Sequence, residues 1–108
     1  MNDRGPGLKK GPVTVDELTA RISALFLQDP VLQSAVVRGE VAELKKHSSG
    51  HVYFTLVGEG SRISCALFKN YVPYVPKWPM SGDEVLAEGS VSLYAPRGSY
   101  QLIVRRMT

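Results

Sequence analysis

Cysteine and histidine are scarce in this sequence of 108 residues, which holds one Cys and two His. A single Cys excludes an internal disulfide and any zinc site built from several thiolates. No apolar run approaches the ~18 residues of a membrane span, so no membrane partner is expected. The opening stretch MNDRGPGLKKGP carries basic residues with no apolar segment behind them, which excludes a secretory signal. The chain is too short for more than one small domain. These absences make a reduced, cytoplasmic setting the default expectation.

Hydrophobic residues make up 44% of the chain, which excludes disorder for most of it. A domain of this size buries roughly two-thirds of its unfolded surface and folds without staples. The net charge of +3 is unevenly spread. Residues 1–12 carry three positive and one negative charge, residues 13–35 one positive and three negative, and residues 36–108 nine positive and six negative. The basic excess thus sits in a leader rich in Gly and Pro and in the body of the chain. A basic body favours a polyanionic partner, against the plain alternative of solubilising charge.

Residues 1–12 read as a disordered leader and residues 13–108 as the domain. A helix over about 14–28 is expected. Thr14 and Glu17 fit a capping box, and Val13 and Leu18 fit a hydrophobic staple. Leu18, Ile22 and Leu25 recur at helical spacing with Phe26 beside them, so this face should pack. Asp29-Pro30 ends the helix, because Pro disfavours helical geometry in the residue before it.

From residue 36 the period changes to two. Five segments alternate, around Val37–Val41, Val52–Leu56, Ile63–Leu67, Val85–Leu93 and Leu102–Val104. The breaks between them, such as His47-Ser48-Ser49-Gly50 and Ala95-Pro96-Arg97-Gly98, are rich in turn residues. Parity places Val52, Phe54, Ile63, Leu67, Val85, Val91 and Leu102 inside, with Cys65 inward and Phe68 plugging a strand end. Five strands with the longest connection after the third give the spacing of an OB-fold barrel. The fold class is therefore mainly β, a five-stranded OB-fold barrel preceded by one N-terminal α-helix. Gly39 and Gly89 suit its sharp bends. The long connection reads YVPYVPKWP, and its prolines predict irregular or extended chain rather than helix. The same repeat is also the pattern of a polyproline ligand.

An OB-fold binds nucleic acid across strands two and three, between the loop joining strands one and two and the loop joining four and five. Lys45, Lys46 and His47 enter the first loop. His51 and Tyr53 face out from strand two and Arg62 from strand three, while Tyr94, Arg97 and Tyr100 flank the second loop. Cations track phosphates and aromatic faces stack on bases without reading sequence. Enzymatic chemistry is not expected of this chain. His47 and His51 lack a third metal ligand, Cys65 reads as a buried hydrophobe, and Glu40, Glu43, Glu59, Asp83, Glu84 and Glu88 are scattered. No catalytic residue, metal or cofactor is expected, and no Gly-rich phosphate loop occurs.

The strings VVRGEVAELKKHSSGHVYFTL, ISCALF and GDEVLAEGSVSLYAPRGSYQL, in this order, closely resemble the N-terminal domain of the exodeoxyribonuclease VII large subunit. The resemblance covers about residues 13–107 and is sharpest at KKHSSGHVYFTL and SLYAPRGSYQL. It departs at residues 71–79, where the family usually looks more helical and polar. The resemblance implies a nuclease that degrades single-stranded DNA from both ends to oligonucleotides. In it this OB domain captures the strand, a catalytic core follows, and a later helical region binds the small subunit. The 108 residues alone should then be inactive. Two other readings stay open: an OB-type anticodon-binding domain that binds tRNA, and an OB module that docks on protein.

Overall fold

The computed structural model describes residues 11–108, so most of the expected leader lies outside the described residues. Helix α1 spans Val15–Gln28, and the four-residue helix α2 spans Pro30–Gln33. Five strands follow: β1 (Ala35–Lys46), β2 (Val52–Val57), β3 (Arg62–Leu67), β4 (Glu84–Tyr94) and β5 (Ser99–Met107). They close into a barrel in the order β1-β2-β3-β5-β4. All neighbours are antiparallel except β3 and β5, which run parallel. This is the OB-fold that the strand spacing implies.

The period-two pattern positions the core. Val41, Val52, Phe54, Leu56, Leu67, Val85, Val91, Leu102 and Val104 are all buried. Ile63, expected inside, is half-buried at the start of β3, and Phe68, expected to plug the barrel, is half-buried as well. Ile63 is the second residue of β3, and Phe68 follows its last residue as the cap of the next helical turn. Gly89 is fixed by a close approach rather than by a turn. A Cβ there would overlap the backbone carbonyl of Ile103 on β5, at the point where the β4–β5 register shifts.

The capping box forms as read. The Glu17 backbone N–H donates to Thr14 Oγ1 at 3.0 Å, and the Thr14 N–H donates to Glu17 Oε1 at 2.8 Å. Asp29 ends α1 and also starts α2, its carboxylate accepting from the N–H groups of Val31 and Leu32. The packing face of α1 corrects the sequence expectation. Leu18, Ile22 and Leu25 are 50%, 37% and 60% exposed. The half-buried positions are Thr19, Ser23 and Phe26, and the helix rests on β4. Gln33 sets that docking angle: its Nε2 donates to the Phe26 carbonyl at 3.0 Å and lies 3.5 Å from the Val91 carbonyl on β4.

The β3–β4 connection also differs from expectation. Lys69–Tyr74 form a 3₁₀ helix with Pro73 inside it, not extended chain. The turn tolerates Pro73 because the donors of its flanking bonds are Tyr71, to the Phe68 carbonyl, and Val75, to the Val72 carbonyl. Pro73 is not asked to donate.

Candidate nucleic-acid interface

β1 and β2 do not pair evenly. Ala42 faces Thr55 and Lys45 faces Tyr53, so β1 spends one extra residue over this interval. The bulge puts Glu43 at φ 57, in the left-handed region, and Leu44 half-buried against the core. Beyond it Lys45 and Lys46 are both exposed at the strand end. The turn that follows is tightly held. The His47 N–H donates to the His51 carbonyl at 2.8 Å, and the Gly50 N–H donates to the His47 carbonyl at 2.9 Å, with Gly50 at φ 94. His47 Nδ1 accepts from the Ser49 backbone N–H at 3.1 Å.

Across the sheet, the β4–β5 turn closes through the Gly98 N–H to the Tyr94 carbonyl at 2.9 Å, with Gly98 at φ 63. Between the two turns lies a cleft of about 880 Å³. Its rim carries Lys45 and His47 on one side and Tyr94 and Arg97 on the other, with Tyr53 rising from β2. Tyr53 is 41% exposed, and its ring meets the His47 ring edge-on at 6.2 Å between centroids. The floor is a polar row. Thr55 on β2 faces Ser64 on β3, Ser64 faces Gln101 on β5, and Gln101 faces Ser92 on β4. Glu43 ends the row, its Oε1 accepting from Thr55 Oγ1 at 2.9 Å.

Five of the nine sequence-derived residues, Lys45, His47, Tyr53, Tyr94 and Arg97, are thus brought together in one cleft. The other four lie outside it. Arg62 and Tyr100 share a neighbouring depression of about 240 Å³, and Arg62 Nη1 lies 3.9 Å from Glu43 Oε1. Lys46 turns the other way, with Nζ 5.9 Å from the centroid of Trp78. His51 is half-buried and serves the fold: its Nδ1 accepts from the Lys69 N–H at 2.9 Å and its ring packs edge-on against Phe68. The sequence reading missed Thr55, Ser64 and Gln101, although their outward parity was legible, because it looked for cations and aromatics. It passed over Glu43 as a scattered acid, since nothing in the sequence marks the bulge.

A smaller, more apolar depression of about 640 Å³ lies between the 3₁₀ helix and β5, away from both turns. Of its two arginines, Arg106 is engaged by Glu88 at 3.2 Å, whereas Lys45 and Arg97 of the cleft stand on opposite rims. Cys65 is buried, and burial pushes its thiol up to about 12, which leaves no thiolate for nucleophilic chemistry near neutral pH. Among the described residues no three His, Cys, Asp or Glu side chains are grouped to hold a metal ion.

Residues 13–108 match the family described as OB-fold nucleic acid binding domain. The chain belongs to that family. It is 45% identical over 95 residues to the exodeoxyribonuclease 7 large subunit of Staphylococcus saprophyticus, a match covering 88% of this chain and 21% of that protein. It is 44% identical to the Geobacillus kaustophilus protein of the same name, again over 88% of this chain and 21% of that one. The chain therefore spans about a fifth of the length of these relatives. Among solved structures, the SSB domain of a Synechococcus protein superposes with a TM-score of 0.56 at 16% identity, over 69% of this chain and 92% of that one. That likeness concerns the fold.

Proposed function

We propose that residues 13–108 bind single-stranded DNA as the capture domain of an exodeoxyribonuclease VII large subunit, in a cytoplasmic enzyme that degrades such strands to oligonucleotides. The observation that carries this reading is the cleft, where Lys45 and Arg97 stand on opposite rims with Tyr53 between them. The two cations are placed to neutralise phosphates entering and leaving the cleft. Tyr53 offers a face for a base to stack on, worth about 1–3 kcal/mol in such sites. A duplex keeps its bases stacked on each other and offers none to Tyr53. The names of the relatives, at 43–45% identity, support the assignment to this enzyme.

In the intact subunit this domain would hold and present the strand, while hydrolysis and the contact with a small subunit fall to other parts of the protein. Strand cleavage needs a positioned nucleophile, which this reading assigns to those other parts. Among the described residues no helix is long and apolar enough to cross a membrane.

Fluorescence anisotropy with labelled single-stranded DNA, single-stranded RNA and duplex DNA tests the reading. Weak, salt-sensitive binding of the single DNA strand, in the micromolar range or weaker, is expected. Preference for RNA would favour an anticodon-type domain, and preference for duplex or no binding would overturn the proposal.

A further inference from the structure

Glu43 is an unexpected residue for a cleft that binds a polyanion. Its carboxylate repels phosphate, and its left-handed backbone is unfavourable for any residue with a Cβ. Glycine at this position would remove both costs and keep the bulge. Among the described residues it is the one non-glycine with positive φ. Backbone strain of this kind persists where the surrounding structure imposes it, and it gathers at functional sites.

We propose that the cleft floor reads base edges and that Glu43 is its discriminating residue, favouring guanine over thymine. The inference rests on nucleic acid occupying the cleft, as proposed above. Among the described residues the carboxylate's contacts, the Thr55 hydroxyl at 2.9 Å and Arg62 at 3.9 Å, both engage Oε1. The side chain is 64% exposed, and Thr55 takes up one lone pair of Oε1, so Oε2 and the second lone pair of Oε1 are open to an incoming base. The rest of the floor has no fixed polarity. Thr55 and Ser64 carry hydroxyls that donate or accept, and Gln101 carries both an N–H and a C=O, so these three tolerate any base. The carboxylate only accepts.

Guanine presents N1–H and N2–H side by side, two donors matched to one carboxylate. Thymine presents a single N3–H between two carbonyl oxygens, both of which face the carboxylate with like partial charge. Adenine and cytosine present an amino group beside a ring acceptor and fall between. Thr55 and Arg62 hold Oε1, so the carboxylate meets the base already oriented.

Competition anisotropy on the 108-residue protein tests this, using single strands of about 12 nucleotides, near the span of one OB-fold. One is all thymine. The others carry isolated guanines, adenines or cytosines in a thymine background, so that guanine quadruplexes cannot form. The wild-type protein should bind the guanine strand about five- to tenfold more tightly than the thymine strand, the lower range for a good bidentate base contact. Glu43→Gln keeps the size and one acceptor but adds a donor, and it should bring the two strands to within about twofold. Lys45→Gln should weaken both strands alike. Circular dichroism and the melting temperature confirm that each variant is folded. Equal affinity of the wild-type protein for guanine and thymine strands would overturn the inference and leave the capture function standing. So would a guanine preference that survives in Glu43→Gln. Failure to bind any strand would overturn the capture function, and this inference with it.

Discussion

Gly89 of β4 lies so close to the Ile103 carbonyl of β5 that a single methyl group on Gly89 would overlap it. The contact sits where β4 passes from pairing with Arg106 to pairing with Val104, skipping one residue of β5. The skip tightens the bend that brings β4 round to β1, and β1 pairs with β4 over Ala35–Glu40. Closure of the barrel therefore depends on an absent side chain. Gly89→Ala should destabilise the domain by about 3 kcal/mol or more, a size reserved for overpacking and backbone strain. Urea denaturation followed by tryptophan fluorescence reads it, and a loss below about 1 kcal/mol would show that the strands can part at this point.

The sequence made the barrel legible and the helix docking illegible, for one physical reason. Strand parity is a local property: Val52, Phe54 and Leu56 alternate with exposed or half-exposed neighbours whatever lies beyond them. A helix has apolar residues around much of its circumference here, and which part packs depends on the angle of approach. Gln33 ties helix and sheet together from outside the helix, through the Phe26 carbonyl of α1 and the Val91 carbonyl of β4, which lies far off in sequence. The bulge at Glu43 was illegible for the same kind of reason. The pairing of Ala42 with Thr55 and Lys45 with Tyr53 is a two-strand property that β1 alone does not encode.

The docking of α1 gives a second expectation. Leu25→Ser removes a side chain that is 60% exposed and should cost less than about 0.5 kcal/mol. Phe26→Ala removes the residue of α1 that packs against the core and should release the helix from β4 while the barrel stays folded. Amide hydrogen exchange separates the two, because in the Phe26 variant the protection of α1 should collapse and that of β2 and β3 should not. Equal loss in both variants would mean that the exposed face contributes as much as the docked one.

Cys65 supplies a pH dependence with a definite sign. Burial raises its thiol from 9.0 to about 12, so the folded state keeps the proton that the unfolded state gives up. Its contribution to stability is complete below pH 9 and declines as pH rises from about 9 toward 12. Wild type should therefore lose stability faster than Cys65→Ala between about pH 9 and 10.5, when both are followed by chemical denaturation. In the native state at pH 8 the thiol should resist Ellman's reagent over hours and react at once in denaturant. Rapid modification of the folded protein would mean that the cleft, which Cys65 helps to line, opens to the reagent.

The interface makes its own prediction about salt, and this separates rim from platform. Each cation that neutralises a phosphate of a single strand contributes about 0.7 to the slope of log affinity against log salt. Lys45 and Arg97 stand on opposite rims of the cleft, so Lys45→Gln and Arg97→Gln should each lower the slope by about that amount, and the double variant by about twice as much. Arg62 reaches the cleft only through Glu43, at 3.9 Å from its carboxylate, and Arg62→Gln should change the slope less. Tyr53→Ala should weaken binding by about 1–3 kcal/mol at every salt concentration and leave the slope unchanged, because stacking releases no counterions. Anisotropy titrations over a range of salt measure all five variants. A slope unaltered in Lys45→Gln and Arg97→Gln would mean that the strand does not run from rim to rim, and a changed slope in Tyr53→Ala would mean that the tyrosine acts by shaping the turn at His47 rather than by meeting a base.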